Sequence, residues 1–252
     1  MRLTILGGDG GWPRPGGACS GYLVQHDDCS VLLDPGPGTF PRLAELLPVA
    51  ELDAVLVSHG HPDHVLDLNP LLRARAFVEH PAPPLPVLAP EGALDVVLAL
   101  DRPGVIDDAV QVRALVPGED VTLGPFLVRT AELPHTWPNL GLRLSAGDES
   151  LVYTGDSGPS PALLDLARDA DVLLGEASSV DEVDDNMSGM LSTAGQRGDD
   201  AREAGVGALV LTHLIPGEDP AAARDRATAR FAGPIEVARP GLVVEVGAGR
   251  RE

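Results

Sequence analysis

The chain has 252 residues, with 18 Lys+Arg against 38 Asp+Glu and a formal net charge of −20. All 18 basic residues are Arg, so Schiff-base lysine chemistry and a P-loop lysine are excluded. Such an acidic chain, with two Trp, two Tyr and four Phe, lacks the basic face and stacking platforms of a nucleic-acid-gripping protein.

From the N-terminus, the apolar run Leu3–Leu6 predicts a strand, too short for a signal-peptide core. It runs into the turn-forming Gly7-Gly8-Asp9-Gly10-Gly11. Gly21–Gln25 and Ser30–Leu33 predict a hairpin around Asp27-Asp28. Cys19 and Cys29 lack metal-ligand spacing and read as free thiols. Helical spacing follows at Phe40–Leu47, then a strand at Ala54–Val57 and a helix at Leu66–Arg75. Pro81–Pro90 reads as a surface connection, with a short strand at Val87–Ala89 and a helix at Ala93–Ala99. Phe126–Thr130 predicts a strand, and Leu140–Leu144 with Leu151–Tyr153 a second hairpin. Strands at Val172–Leu174, Ala208–Leu211, Ile235–Val237 and Val243–Val246 then alternate with helices at Ser160–Arg168, Thr193–Glu203 and Pro220–Phe231. Asp181–Asp185 reads as an acidic loop. This mixture, without a strict βαβ repeat, predicts an α/β sandwich. No Ser- or Gly-rich linker divides it, so residues 1–252 are expected to form one domain. No 18-residue apolar window occurs, and a cytoplasmic protein without membrane attachment is the expectation.

The chemistry concentrates in Leu56-Val57-Ser58-His59-Gly60-His61-Pro62-Asp63-His64, a strand ending in H-x-H-x-D-H. Imidazole nitrogens and carboxylate oxygens are zinc ligands. Just past a strand, His59 and His61 can converge on one ion while Asp63 and His64 face another. Three later strand-like runs end in a further donor: His135 after Leu133-Pro134, Asp156 after Tyr153-Thr154-Gly155, and His213 after Thr212. Strand ends on one side of a sheet are where α/β proteins collect site groups. Five His and two Asp are enough for two metals. The other two His, His26 and His80, are expected at the surface.

With these residues in place the chain resembles the metallo-β-lactamase-fold hydrolases. Within them it is similar to the branch holding tRNase Z and the small-molecule and cyclic-nucleotide phosphodiesterases. Leu6-Gly7-Gly8, Ser20-Gly21-Tyr22, Leu33-Asp34-Pro35-Gly36-Pro37-Gly38, His64-x-x-Asp67, Gly141-Leu142-Arg143 and Glu176-Ala177-Ser178 also match. The resemblance implies a four-layer αββα sandwich and two divalent ions, zinc in the first instance, with manganese and iron also compatible. It implies that His59, His61 and His135 hold the first metal, that Asp63, His64 and His213 hold the second, and that Asp156 bridges them. Asp34 and Asp67 would orient ligating imidazoles. Asp63 and Glu176 carry over as catalytic carboxylates. It also allows a homodimer. The family His that pairs with the Glu is replaced here by Met190, which cannot donate a proton. No His stands anywhere between His135 and His213.

Two metals sharing a bridging hydroxide would attack a phosphoryl or carbonyl centre and steady the charge that develops. Such a cluster attracts a small anion even inside a chain of net charge −20. A tRNA must also touch surface far beyond it, where no Lys waits, and the His64–His135 span holds no Gly-rich basic arm. The expectation is a metal-dependent hydrolase of small phosphodiesters such as cyclic nucleotides. The alternatives are a hydrolase of lactones, thioesters or other esters, and a metal-binding protein of weak activity owing to Met190.

Overall fold

A computed structural model describes residues 1–78 and 82–247. The chain opens with β1 (Arg2–Gly7), the hairpin β2 (Gly21–His26) and β3 (Cys29–Leu33), then α1 (Thr39–Leu46) and β4 (Ala54–Leu56). The one-turn α2 (Pro62–Val65), α3 (Leu68–Ala76), β5 (Leu85–Pro90), one-turn α4 (Asp95–Leu98) and β6 (Val110–Leu115) complete the first half. The second half holds β7 (Asp120–Leu123), β8 (Phe126–Leu133), β9 (Asn139–Ala146), β10 (Glu149–Tyr153), α5 (Pro161–Ala167) and β11 (Val172–Glu176). It ends with α6 (Ala194–Ala204), β12 (Ala208–Thr212), α7 (Pro220–Thr228), β13 (Ile235–Val237) and β14 (Val243–Glu245).

The strands form two seven-stranded sheets, ordered β14-β1-β2-β3-β4-β5-β6 and β13-β12-β11-β10-β9-β8-β7. Each is antiparallel along part of its width and parallel from β3 to β6 and from β10 to β13. Three apolar layers explain the stacking. Leu3, Ile5, Tyr22, Phe126, Leu142 and Tyr153 belong to a core built from both sheets. Leu43, Leu68, Leu71 and Leu72 of α1 and α3 pack on the outer side of the first sheet. Leu163 and Leu166 of α5, with Ala201 and Ala223, cover the second. This is the expected αββα sandwich.

The helices start where local chemistry lets them. Ser160 caps α5 by accepting the Leu163 N–H, with Pro161 in its first turn. Thr193 and Gln196 form a reciprocal capping box on α6. Asp219 caps α7.

Three expectations need correction. Pro81–Pro90 is not simply a connection, because Leu85–Pro90 pairs between β4 and β6 as a mostly buried strand. β6 and β7, not anticipated from the sequence, are the edge strands of the two sheets; they alternate apolar and polar residues, but are short and largely exposed. His26 is only half-exposed, its ring edge-on to Phe126 at 6.2 Å. His80 lies outside the described residues. Both cysteines are free. Among the described residues no helix is long and apolar enough to cross a membrane.

Candidate metal centre

The donor atoms come from the loops after four strands and from the short helix that follows the first of them. β4 leads through Val57 into Ser58, His59 and His61, and Pro62 opens the single turn of α2 that carries Asp63 and His64. The loop after β8 supplies His135, the loop after β10 supplies Asp156, and β12 ends one residue before His213. His59, His61, His135 and Asp156 bring donor atoms within 4.8 Å of one another, and so do Asp63, His64 and His213.

Asp156 joins the two groups. Its Oδ2 stands 3.8 Å from Nε2 of both His59 and His135 and 3.3 Å from His213 Nε2, while Oδ1 is 3.3 Å from His64 Nε2. On the far side, Asp63 Oδ2 lies 3.1 Å from His213 Nε2 and accepts the Gly11 N–H at 2.8 Å. The glycine-rich loop after β1 therefore reaches the centre. Gly10 permits this, because a Cβ there would fall 2.5 Å from the His213 carbonyl and 2.7 Å from its Nδ1. The residues present fit divalent cations. His64 Nε2 and Asp156 Oδ1 are fully buried without a hydrogen-bond partner, and buried polar atoms ordinarily have one.

The outer contacts set the imidazole tautomers. His64 Nδ1 faces Asp34 Oδ2 at 2.7 Å, so it donates there and leaves Nε2 with its lone pair. Asp34 also accepts the Ser58 N–H at 2.7 Å, the Ser58 hydroxyl at 2.6 Å and the Tyr153 hydroxyl at 2.6 Å. With its proton given to Asp34, Ser58 Oγ accepts from His59 Nδ1 at 3.0 Å. The Met190 carbonyl accepts from His135 Nδ1 at 3.1 Å. Ser178 donates to Glu176 Oε1 at 2.6 Å, and its oxygen accepts from His213 Nδ1 at 3.3 Å. Four imidazoles thus turn a bare Nε2 inward. His61 presents Nδ1 instead, 3.0 Å from His59 Nε2 and 3.1 Å from His135 Nε2.

The electrostatics divide the five imidazoles by donor group. Burial holds His59, His61 and His135 below the ordinary imidazole range, which favours the neutral form a metal requires. Burial also disfavours charge on His64 and His213, but Asp156 and Asp63 outweigh it and raise both. In return the neighbouring imidazoles overcome burial and hold the Asp63 and Asp156 carboxyls well below the usual range.

The remaining expected residues fall elsewhere. Asp67 is not where an imidazole orienter should be: its carboxylate accepts the Phe40 N–H at 2.8 Å, at the start of α1. That helix begins at Thr39 without a side-chain cap from its own N-cap residue, Gly38, and Asp67 takes the task. Glu176 does not face the donor cluster as a free acid. Its carboxylate is fully buried and engaged by Ser178, by the Ser192 N–H at 3.0 Å and by the Arg197 guanidinium at 3.4 Å. Burial pushes it up to about 7, against the pull of Arg197. It reaches the centre only through Ser178. Met190 reaches His135 through its main-chain carbonyl, and the residue is 36% exposed.

Sequence reasoning gave no role to Ser58, Tyr153, Ser178 or Arg197. Arg197 is wholly buried, donating to the carbonyls of Glu176 at 2.8 Å and Ser157 at 2.9 Å, to Ser192 Oγ at 2.7 Å and to Asp200 at 2.9 Å. A long charged side chain in α6 reads as surface, and nothing local distinguishes it. Strain marks the site too. Asp34 and His213 have φ of 48° and 62°, a region that costs non-glycine residues of order 1–3 kcal/mol each.

The comparisons with known proteins agree with this geometry. Residues 30–214 match the beta-lactamase superfamily domain. The probable metallo-hydrolase YhfI of Bacillus subtilis (strain 168) is 31% identical over 248 residues, covering 97% of this chain and 100% of YhfI. Its crystal structure superposes with a TM-score of 0.88, covering 97% of this chain and 99% of that one. Human tRNase Z, short form, shares the fold at 21% identity and a TM-score of 0.80, covering 98% of this chain and 99% of its own. A diphosphatase from the PhnP family does so at 22% and 0.75, covering 97% of each. With its two sheets, its seven converging donors and these relatives, the chain belongs to the beta-lactamase superfamily, as a metal-dependent hydrolase of the metallo-β-lactamase fold.

Proposed function

We propose that the protein hydrolyses small phosphodiesters, cyclic nucleotides among them, with two divalent ions, zinc in the first instance, in a cytoplasmic setting. The observation that carries this reading is Asp156, whose carboxylate spans both donor groups while its buried Oδ1 has no hydrogen-bond partner. His59, His61 and His135 would hold one ion, Asp63, His64 and His213 the other, with Asp156 shared. Bound there, divalent ions would supply a water acidified toward neutrality and positive charge beside the reacting centre.

The chain's own residues do the rest. Asp34, directly and through Ser58, keeps the His64 and His59 protons on Nδ1. The Met190 carbonyl and the Glu176–Ser178 pair do the same for His135 and His213. Asp63 is fixed by the Gly11 N–H. Glu176 is a positioning residue. Met190 offers no proton, so the leaving oxygen takes its proton from water, and the reading favours diesters with acidic leaving groups. A phosphorus substrate is supported by the names of two fold neighbours, a tRNase Z and a diphosphatase. Small size is supported by the His64–His135 span, whose helices and strands belong to the sandwich layers, and by the absence of Lys.

The test is turnover of bis(p-nitrophenyl) phosphate and cyclic AMP by zinc- or manganese-loaded protein. Rates no higher than those of a His59→Ala control overturn the reading. A second reading, hydrolysis of lactones or thioesters, is favoured by the half-exposed Met190 at the centre, and faster turnover of those esters than of diesters would establish it.

A further inference from the structure

Arginine is almost never fully buried unless its charge is met, and Arg197 of α6 has no exposed surface at all. The strand beneath it is shaped for the intrusion. A Cβ on Gly175 of β11 would fall 2.4 Å from Arg197 Cδ and 2.7 Å from its Cγ. Glycine weakens a buried strand and marks a place where another group must approach closely. Glu176 and Asp200 meet the charge at 3.4 and 2.9 Å. Charge compensation does not account for the other contacts of the guanidinium, which go to uncharged oxygens.

Those oxygens lie on the loops that carry the metal centre. Nη2 donates to the Ser157 carbonyl at 2.9 Å and to Ser192 Oγ at 2.7 Å, while Nε donates to the Glu176 carbonyl at 2.8 Å. Ser192 completes the tie, giving its hydroxyl to the Ser157 carbonyl at 2.9 Å and its N–H to the Glu176 carboxylate at 3.0 Å. One guanidinium thus joins the loop after β10 to both ends of the segment between β11 and α6. Each joined point leads to a donor. Ser157 follows Asp156 directly. Glu176 leads through Ser178 to His213 Nδ1. Ser192 stands two residues after Met190, whose carbonyl accepts from His135 Nδ1. The loop of His135 is held at the same place, since the Gly158 N–H donates to the Pro134 carbonyl at 3.1 Å.

We propose that Arg197 is a positioning residue of the metal centre, its planar fork fixing the loops that orient Asp156, His135 and His213. A guanidinium presents its N–H groups in set directions, so it fixes the spacing of its acceptors and not only their charge. The three donors belong to both groups, so loss of the fork loosens both ions. His59 and His64 keep their own supports in Ser58 and Asp34. The inference rests on the metal centre and not on the diester reading.

Arg197→Lys separates geometry from charge. Lysine keeps a cation beside Glu176 and Asp200, but its donors radiate from one nitrogen that cannot span the same acceptors. The readouts are zinc affinity by competition with a chromophoric chelator and the visible bands of cobalt-loaded protein, which report ligand geometry, with folding checked by circular dichroism. Arg197→Lys should bind zinc roughly tenfold more weakly, as for a lost outer contact, and shift the cobalt bands. Ser192→Ala removes one uncharged tie, should weaken zinc severalfold, and decides the matter if Arg197→Lys does not fold. Leu71→Ala, a cavity variant in the layer outside the first sheet, should lower Tm while leaving both readouts at wild type, which separates positioning from general loss of stability. Wild-type zinc affinity and cobalt bands in folded Arg197→Lys, or in Ser192→Ala where the lysine variant is unfolded, overturn the inference and leave Arg197 as a buried counter-charge alone. The expected shifts in a protein that hydrolyses no diester uphold the inference and remove the phosphodiester reading instead.

Discussion

Asp34→Asn is the sharpest perturbation of the centre, because it changes one atom and must rearrange a proton. The Asp34 carboxylate accepts four hydrogen bonds: from the Ser58 N–H on Oδ1, and from Ser58, Tyr153 and His64 on Oδ2. In the variant the Asn oxygen keeps the Ser58 N–H, so the amide NH2 occupies the place of Oδ2 and meets three donors. The two hydroxyls can rotate and accept. The His64 N–H cannot rotate, so the imidazole must move its proton to Nε2, the atom turned toward Asp156 and Asp63. Ser58, once it accepts from the amide, sends its own proton to His59 Nδ1 and displaces the proton there as well. Loss of such an outer contact costs roughly 10- to 100-fold in metal affinity, or about 1.4–2.7 kcal/mol. The assay is competition for zinc against a chromophoric chelator, with metal content by mass spectrometry and folding checked by circular dichroism. Ser58→Ala is the companion variant and should weaken only the His59 group. A folded Asp34→Asn protein binding zinc within twofold of wild type refutes the tautomer argument.

Other outcomes follow from the same contacts. Arg197→Met leaves the buried carboxylates of Glu176 and Asp200 unpaired and should cost about 3–5 kcal/mol, lowering Tm by roughly 6–20 °C; a loss below about 1 kcal/mol in urea titration would contradict it. Met190→His should accelerate diesters with poor leaving groups severalfold and leave p-nitrophenyl esters nearly unchanged, read from rates across a leaving-group series. Chelation of the loaded protein should lower Tm, since free metal at 100 times Kd stabilises by about 2.7 kcal/mol; calorimetry showing no shift would mean that the donors hold no ion. His61→Ala, which removes a donor from one group only, should retain one ion per chain, and loss of both would show that the groups bind as a unit.

Much of this was legible in the chain itself, for a reason rooted in distance along it. H-x-H-x-D-H packs four donors into six residues, so local spacing alone brings them together. His135, Asp156 and His213 were legible because each ends an apolar strand run, and parallel strands deliver their ends to one edge. Asp34 and Asp67 were both implied as imidazole orienters only by the family resemblance, and Asp67 serves the start of α1 instead. Spacing cannot tell those two uses apart, since helix ends and imidazoles both offer N–H groups to a nearby carboxylate. Ser58, Tyr153 and Ser178 escaped because each has a partner brought up by tertiary approach, 24, 119 and 35 residues away in the contacts with Asp34, Asp34 and His213. The edge strands β6 and β7 escaped although they alternate, because each is short and buries a single core residue, Leu115 and Val121.

The two donor groups are not electrically alike, and this decides how an acidic chain can still receive an anion. His59, His61 and His135 are neutral donors, with Asp156 as the single carboxylate among them, and two of the three rest on uncharged acceptors, Ser58 and the Met190 carbonyl. The other group holds Asp63 outright, shares Asp156, and feels Asp34 through His64. A dication in the first group is therefore less neutralised by its own ligands than one in the second. The less neutralised end is where a phosphoryl oxygen gains most, because interaction inside a partly desolvated site is screened far less than across the surface. It is also the end where the Trp137 ring packs on His61 and the Met190 carbonyl faces His135. The net charge of −20 is a sum over the whole chain, and surface carboxylates beyond a screening length of about 8 Å at physiological salt count little. An anion reaching the centre responds to the ions and to these few ligands, not to the sum over the sequence.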